Sequence, residues 1–381
     1  MFNFSRENTS SVARWWRNVD KEILFCFLLL FSLGLFFSFS STSSIAAEKM
    51  NKDTYFFFLK HLIFVLISFF FLIAISIQNK NTVIKFILPL FSFSLILLIL
   101  VLFFGVEVKG SKRWLDLIFL PKFQPIELTK PLFILFAAKI IAFDSKINRH
   151  TRYLFSFLIL SVIIVLLASQ PDLGQTLLLA LSWLTMIFAS GFNMFILIIL
   201  GLVVLGVFAF LIYFFPLKFG YVFSRLQTFL NPKMGDNFQS QKALDAIKQG
   251  GLTGQGMGEG VLKDSVPEAH TDYIIAVISE EFGAIFVLFI IILFLFISYK
   301  IVNKVFLEQD EFIKLVLVGL TSLLIIQALV HIGVNIRLFP TTGMTLPFLS
   351  YGGSSLIGSS IIAGIILNFT RKDLSRNFKY E

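Results

Sequence analysis

Long apolar segments separated by short polar stretches make up most of the chain. A helix that crosses the hydrocarbon core of a bilayer needs about 20 predominantly apolar residues. Ten segments come close to that length: 22–44, 59–78, 84–104, 125–143, 154–169, 173–191, 194–215, 272–299, 312–334 and 346–369. The pattern predicts an all-α integral membrane protein of about ten transmembrane helices, organised as a single polytopic membrane domain over residues 1–381.

Basic residues near the ends of these segments indicate the orientation, because Lys and Arg are concentrated in cytoplasmic loops. They cluster before helix 1, between helices 2 and 3, between helices 4 and 5, and after helix 10. Ten crossings bring these clusters to one side, which we place in the cytoplasm. The connection of residues 216–271, between helices 7 and 8, is then a large periplasmic loop. Loops of that length are usually functional or disordered.

Composition agrees with a membrane protein and limits the other classes. Of the 381 residues, 57% are hydrophobic and 14% are charged, whereas soluble domains have about 25% charged residues. The net charge of +9 would suggest nucleic acid in a soluble protein, but no nucleic-acid-binding motif accompanies it. Cys26 is the single cysteine, so the chain forms no internal disulfide.

The predicted periplasmic loop before helix 4 carries Lys112, Arg113 and, at the start of that helix, Lys130. These cations oppose the usual charge asymmetry of membrane proteins, and they are able to hold a phosphate, Arg113 in a bidentate way. Ordinary anchoring at the membrane interface, with Trp114, is the alternative. Glu127 and Lys130 are three residues apart on a helix and are able to pair with each other.

Two further motifs have competing structural interpretations. Asp172, followed by Gln175, resembles a helix-capping box with Asp in place of Ser. The segment Gly250–Gly260 reads GGLTGQGMGEG and lacks the residues that complete a nucleotide-binding loop. So much glycine allows backbone N–H groups to approach an anionic ligand, but it is equally typical of a flexible linker.

Three polar residues lie at the start of predicted helix 8: Glu268, His270 and Asp272. At the membrane boundary, Asp272 is well placed for a catalytic carboxylate. The alternative is a favourable negative charge near a helix N-terminus.

Glu280 and Glu281 follow on the same predicted helix. Eight residues at about 1.5 Å per residue put Glu280 roughly 12 Å deeper than Asp272. Carboxylates at membrane depth are costly and suggest a function. A buried ion pair, with Lys139 as a partner, is the alternative.

Helix 9 carries a polar stripe, Gln327, His331 and Asn335, that ends near Arg337. Such residues either serve a site or hold helices together. The sequence SYGGSS, predicted just inside helix 10, either lines a ligand groove or allows close helix packing. Its residues of interest are Ser350, Gly352, Gly353 and Ser354.

Six stretches between residues 109 and 355, in this order, resemble the SEDS family (shape, elongation, division and sporulation proteins): KGSKRWLDL, QPIELTK, QPDLGQT, GGLTGQGMGEG, VPEAHTDYIIAVISEEFG and FPTTGMTLPFLSYGGSS. The last stretch and WWRNVDKEIL, before helix 1, resemble division-type members more than elongation-type ones. The sequence departs from the family pattern at Ile126, where Ser is common, and at Thr253, where Trp is frequent.

The resemblance implies a peptidoglycan glycosyltransferase that polymerises lipid II and releases undecaprenyl diphosphate. It implies that Asp272 is the catalytic base, because it matches the position of the family's catalytic aspartate. Substrate or diphosphate binding is expected of Lys112, Arg113, Glu127, Lys130, Glu268, His270, Arg337, Ser350, Gly352, Gly353 and Ser354. Supporting roles are expected of Trp114, Asp172, Glu280, Glu281 and His331.

The resemblance also implies partners and a location. The partners are lipid II, the undecaprenyl-diphosphate-linked glycan, a class B penicillin-binding transpeptidase and other divisome proteins. The location is the bacterial inner membrane at the division septum, with the active site facing the periplasm. No cofactor is evident, and a divalent cation stays open, since no ligand cluster is legible in the sequence. The rival functions are a lipid II flippase, an elongation-type polymerase, a hydrolase and a non-catalytic scaffold.

Overall fold

The computed structural model of the chain describes residues 10–50, 55–108, 111–116, 121–143, 147–193, 195–199, 201–202, 206, 214, 216–230 and 237–372. The helices in these ranges are α1 (Ser11–Asn18), α2 (Lys21–Met50), α3 (Phe56–Ile77), α4 (Lys80–Phe104), α5 (Pro125–Ile141), α6 (Arg149–Ser169), α7 (Leu173–Ala189), α8 (Pro216–Leu230), α9 (Phe238–Gly250), α10 (Ile274–Leu307), α11 (Glu311–Asn335) and α12 (Gly353–Thr370). A 3₁₀ turn lies at Leu262–Ser265.

The predicted helical membrane fold is confirmed. Within the described residues, seven helices are long and apolar enough to cross a membrane: α2, α3, α4, α6, α10, α11 and α12. Helices α5 and α7 have 17 residues each. The predicted helix 194–215 lies mostly outside the described residues, so the count of ten stays a prediction, as do the single domain and the periplasmic side of loop 216–271.

A two-stranded antiparallel sheet, β1 (Val106–Val108) and β2 (Ser111–Trp114), lies between α4 and α5, where the sequence suggested a loop. Glu107 pairs with Lys112, and Val108 pairs with Ser111. The alternating valines of β1 favour an extended conformation, but three residues are too few for a strand pattern to stand out in an apolar chain.

Close packing at small residues joins α12 to α3. A Cβ atom on Gly353 would lie 2.5 Å from the Phe64 ring, and one on Gly364 would lie 2.9 Å from the Leu72 carbonyl oxygen. Small residues of this kind let helix backbones approach closely in membrane proteins. Large apolar side chains on the outside of the bundle, such as Phe70 at 66% exposure, are oriented as lipid-facing residues would be.

Helix α10 contains a break that the sequence analysis missed. Gly283 has φ +81°, which lies outside the helical region and favours glycine. A Cβ atom at this position would lie 2.2 Å from the Leu252 carbonyl oxygen, so the loop before α10 packs directly against the break. The first turns of α10 are therefore surrounded by protein.

Candidate active site

A cavity of about 570 Å³ lies where α5, α7 and α12 begin. Its lining comes from β1 and β2, from the starts of these helices, from α8, α9 and the end of α11, and from the segments 268–273 and 341–345. Six of the residues predicted to serve the site line it: Arg113, Trp114, Glu127, Glu268, Asp272 and Gly352. The structure therefore brings residues from distant parts of the sequence to one concave surface, as ligand sites do.

Asp272 lies in a turn immediately before α10. The carbonyl of Glu268, a residue with φ +56°, accepts hydrogen bonds from the backbone N–H groups of Thr271, Asp272 and Tyr273 at 3.1, 3.1 and 3.3 Å. The N-cap of α10 is Tyr273, whose own side chain makes no capping hydrogen bond, while the Asn335 side-chain oxygen accepts the Ala276 N–H of the first turn at 3.3 Å. Asp272 is half-buried and lines the cavity. Asp272 is therefore the residue before the N-cap, and its charge lies near a helix N-terminus, as the alternative interpretation expected.

Gly343 forms the wall next to this carboxylate. It has φ +67°, and a Cβ atom there would lie 3.6 Å from Oδ2 of Asp272. Glycine at this position therefore keeps space open beside the carboxylate, in a backbone conformation that other residues rarely adopt.

The polar stripe of α11 holds the backbone around the cavity. Gln327 donates to the Thr345 carbonyl at 2.9 Å, and Nδ1 of His331 lies 2.7 Å from the Met344 carbonyl oxygen. Asn335 donates to the carbonyl of Asp272 at 3.1 Å. Neither Gln327 nor His331 lines the cavity, so the stripe acts by positioning other groups.

Arg113 is held at one side of the cavity. Its guanidinium lies 3.6 Å from the Asp172 carboxylate, and it donates to the Gln170 carbonyl at 3.2 Å and to the Pro171 carbonyl. Burial raises the pKa of the Asp172 carboxyl group, and the Arg113 charge opposes that rise. Asp172 also accepts the Gln175 N–H at 3.4 Å, which forms half of the predicted capping box.

The other half of the box does not form, because the Asp172 N–H donates to the Leu167 carbonyl at 3.0 Å. The Gln175 side-chain amide donates to Glu127 at 3.0 Å. Glu127 in turn pairs with Lys130 at 3.0 Å, and the Lys130 ammonium donates to Gln327 at 3.3 Å. Lys130 is 1% exposed and does not line the cavity. Its charge therefore stabilises Glu127 from behind instead of meeting a ligand directly.

Two other predicted cations lie outside the cavity lining. Lys112 is exposed on β2, and Arg337 donates to Gln241 at 2.7 Å. A cation that the sequence analysis missed, Arg225 of α8, does line the cavity and donates to the Thr341 carbonyl at 3.2 Å. No motif marked Arg225, but the predicted periplasmic position of loop 216–271 could have, since cations there oppose the usual asymmetry.

The glutamates Glu280 and Glu281 bind to the preceding loop. Glu280 accepts the backbone N–H groups of Leu262 and Lys263 at 2.7 and 2.8 Å. Glu281 pairs with the Lys263 ammonium. The alternative interpretation, a buried ion pair, is right for Glu281, but its suggested partner Lys139 is wrong. Lys139 lies in the last turn of α5, far from the cavity end of that helix, and donates to the Ile84 carbonyl at 3.3 Å.

The glycine-rich segment 250–260 wraps around the start of α10. A Cβ atom on Gly254 would lie 2.3 Å from the Glu281 carbonyl oxygen, and one on Gly250 would lie 1.9 Å from that of Ser279. Gly258 donates its N–H to the Glu281 carboxylate at 3.2 Å. The Gly258 N–H thus binds an anion, as one interpretation of the segment expected, but this anion is the Glu281 carboxylate of the chain itself.

The sequence SYGGSS connects the cavity to its surroundings. Helix α12 begins at Gly353 instead of residue 346, because Phe348 has φ +67°, outside the helical region. Ser350 donates to the Thr271 carbonyl at 2.7 Å, and Ser354 accepts the Gln124 N–H at 3.0 Å. His270 lies outside the lining, with its ring 5.6 Å from that of Tyr351.

Comparison with known proteins identifies the family. A family model described as cell cycle protein, which covers FtsW, RodA and SpoVE, matches residues 20–374. The chain belongs to this family, which is the SEDS family that the sequence motifs resemble. It is 33% identical over 372 residues to a probable peptidoglycan glycosyltransferase FtsW of Caulobacter vibrioides, covering 97% of this chain and 93% of the relative. A protein of the same name from Trichlorobacter lovleyi is 36% identical over 363 residues, with 92% and 93% covered.

Two solved structures have the same fold as this chain. A chain from a study of a peptidoglycan synthase complex that coordinates polymerization and crosslinking has a TM-score of 0.75 and 24% identity, covering 95% of this chain and 99% of that one. RodA of Thermus thermophilus has a TM-score of 0.69 and 23% identity, with 96% and 99% covered. The predicted family, membrane fold and enzyme class, a glycosyltransferase, are confirmed.

Proposed function

We propose that this protein is a peptidoglycan glycosyltransferase that polymerises lipid II into glycan strands during cell division, with the cavity around Asp272 as its active site. The observation that carries the proposal is the arrangement of the cavity, which places the Asp272 carboxylate and two guanidinium groups, Arg113 and Arg225, on one surface. The relatives named FtsW support the same activity and the division-type role.

Asp272 serves as the general base in this proposal. The 4-hydroxyl of the acceptor disaccharide attacks the anomeric carbon of the donor, and the Asp272 carboxylate accepts the hydroxyl proton. The bond between the anomeric carbon and the diphosphate oxygen breaks, and its electron pair leaves with undecaprenyl diphosphate. Attack from the face opposite the leaving group inverts the α-linked donor to a β-1,4 linkage. A base of this kind contributes roughly 10²- to 10⁴-fold to the rate.

Arg113 and Arg225 stabilise the negative charge that develops on the leaving diphosphate. A guanidinium forms two parallel hydrogen bonds to phosphate oxygens, and a fixed donor is most effective where charge develops in the transition state. Arg113 is held in place by Asp172 and two carbonyls. Lys112 and Arg337, outside the lining, guide the anionic headgroup towards the cavity.

The cavity faces the periplasm in this proposal, and the protein acts at the septum of the inner membrane. The basic clusters on the opposite side support this orientation. A class B penicillin-binding transpeptidase that cross-links the strands is the proposed partner, together with other divisome proteins. The solved complex that coordinates polymerization and crosslinking supports such a partner.

A divalent cation enters the proposal only as a companion of the diphosphate. Among the described residues, no three His, Cys, Asp or Glu side chains form a group that could hold a metal ion. Any such ion would therefore share its ligands between the substrate and a cavity carboxylate, Asp272 or Glu268.

Polymerisation by the purified full chain, with its transpeptidase partner, in detergent with labelled lipid II is the test. Micelles separate no compartments, so a flippase has no activity to show there, whereas a polymerase yields ladders of glycan strands. We expect ladders from the wild type. Their absence, together with transport of lipid II in reconstituted vesicles, would favour the flippase. Depletion in cells should give filaments without septa, whereas rounded cells would indicate the elongation-type polymerase.

A further inference from the structure

A second cavity, of about 430 Å³, lies at the opposite end of α5 from Asp272. The first turn of α5 contributes Glu127 to the active-site cavity, its last turns contribute Lys139 and Ile140 to this one, and Phe143 follows just after the helix. A helix of 17 residues is about 25 Å long. The two cavities therefore lie near opposite faces of the membrane.

The walls of the second cavity combine apolar side chains with two cations. The apolar wall comes from α4, α5 and α6 and includes Leu88, Phe136, Ile140, Phe155 and Ile159. Lys139 and Arg152 are the charged residues in its lining. Leu88 and Phe155 are more than half exposed, so the cavity opens laterally towards the lipid.

Neither cation is neutralised by a carboxylate within the part of the chain that the structure describes. Arg152 donates through Nη1 to the carbonyls of Ile141, at 2.6 Å, and Phe143. Its Nε atom is buried and has no acceptor among the described residues. Lys139 donates to the Ile84 carbonyl at 3.3 Å. The carbonyls hold both side chains in place, and among the described residues of the lining these two cations are the only charged groups.

A buried Nε–H without an acceptor costs free energy unless a ligand supplies one. A phosphate oxygen is a suitable acceptor, because a guanidinium binds phosphate through several N–H groups. A free anion would leave the apolar wall uncovered, whereas an acyl chain would cover it. Basic pockets between transmembrane helices at the cytoplasmic side are typical sites for anionic lipid headgroups.

We propose that the second cavity binds one anionic glycerophospholipid from the leaflet opposite the active site. Its phosphate lies between Lys139 and Arg152, and an acyl chain lies along the apolar wall of α4, α5 and α6. This site does not depend on the reaction at Asp272. Helix α5 runs between the two sites: one end lines the second cavity with Lys139, and the other end carries the active-site residue Glu127.

Native mass spectrometry of the full chain in detergent tests the proposal. The chain is titrated with dioleoylphosphatidylglycerol or dioleoylphosphatidylcholine, and the bound lipids are counted. We expect the wild type to retain one phosphatidylglycerol more tightly than phosphatidylcholine. The double variant Lys139→Gln, Arg152→Gln should bind phosphatidylglycerol about 25-fold more weakly, about fivefold for each cation. Arg149→Gln is the matched control. Arg149 lies on α6, like Arg152, but it pairs with Glu311 and does not line the cavity.

A second variant, Ile159→Trp, keeps both cations but fills the space proposed for the acyl chain. It tests lipid binding independently of Arg152, whose loss could impair folding. We expect it to lose the retained phosphatidylglycerol. Glycerol 3-phosphate in excess should not displace the lipid. Equal retention of both lipids by the wild type, unchanged preference in Ile159→Trp, or full displacement by glycerol 3-phosphate would each overturn the proposal.

Discussion

The side-chain amide of Asn335 donates a hydrogen bond to the backbone carbonyl of Asp272 across 3.1 Å. The same amide group donates to the His331 carbonyl at 2.8 Å, and its oxygen accepts the Ala276 N–H at 3.3 Å. Asn335 is fully buried. One side chain of α11 thus fixes the backbone on both sides of the start of α10, where Asp272 meets the cavity.

Replacement of Asn335 should therefore affect catalysis as well as folding. We expect Asn335→Ala to lower the free energy of unfolding by about 1–3 kcal/mol, because buried partners lose their hydrogen bonds. The kcat for lipid II should fall roughly 10- to 100-fold, since small displacements of a catalytic group are costly. KM should change little, because Asn335 does not line the cavity.

Asn368→Ala is the matched control. Asn368 is also fully buried and donates to the carbonyls of Ile75 and Gln78 at 2.9 and 2.7 Å, in the last turn of α12, at the opposite end of that helix from the cavity. It should lose a similar amount of stability while kcat is retained. Equal effects of the two variants on kcat would reduce the role of Asn335 to general stability.

The sequence predicted the helical membrane fold and the position of Asp272 because both depend on local patterns. Apolar length indicates a spanning helix, and the stretch around Asp272 is contiguous. Arg225 and Gly343 were missed because their place in the cavity depends on contacts between distant segments. Lys130 was expected to meet a ligand, but its pairing with Glu127 and Gln327 depends on packing between α5 and α11 that no spacing rule reveals.

The interpretation of Glu280 and Glu281 shows the same limit. The helical rise from Asp272 placed Glu280 at membrane depth, where carboxylates suggest a function. The loop that packs against the break at Gly283 supplies backbone N–H groups and the Lys263 ammonium to these carboxylates instead. A glycine in an apolar helix pattern does not by itself show whether the helix continues through it.

Arg225 and Arg337 provide a paired test of the cavity. Both are arginines that the proposal assigns to the substrate diphosphate, but only Arg225 lines the cavity. We expect Arg225→Gln to raise KM for lipid II or lower kcat/KM roughly 10- to 100-fold, the effect of about 1.5–3 kcal/mol for a hydrogen bond to a charged group. Arg337→Gln should change kcat/KM less than threefold at physiological salt. A larger loss in Arg337→Gln than in Arg225→Gln would contradict the assignment of the diphosphate to the cavity.

The glycine-rich segment gives a prediction about stability. Gly254 and Gly258 both have positive φ, +77° and +84°, but only Gly254 approaches another backbone, at 2.3 Å from the Glu281 carbonyl oxygen. Gly258→Ala should cost about 1–2 kcal/mol for the left-handed conformation. Gly254→Ala should cost about 1–3 kcal/mol more, because the added methyl group overpacks the contact. Thermal unfolding in detergent measures both, and equal melting temperatures would show that the segment does not pack against α10 as described.

The decisive measurement is glycan polymerisation by Asp272→Asn. Asn is nearly the same size as Asp and caps helices equally well, so a purely structural role for Asp272 would leave activity near normal, with at most about 1 kcal/mol of stability lost with the charge. If the carboxylate accepts the proton of the attacking hydroxyl, the amide cannot replace it. With expression and melting temperature equal to those of the wild type, we expect the rate of glycan-ladder formation from labelled lipid II to fall roughly 10²- to 10⁴-fold. Undiminished ladders from a well-folded Asp272→Asn variant would contradict the assignment of Asp272 as the catalytic base.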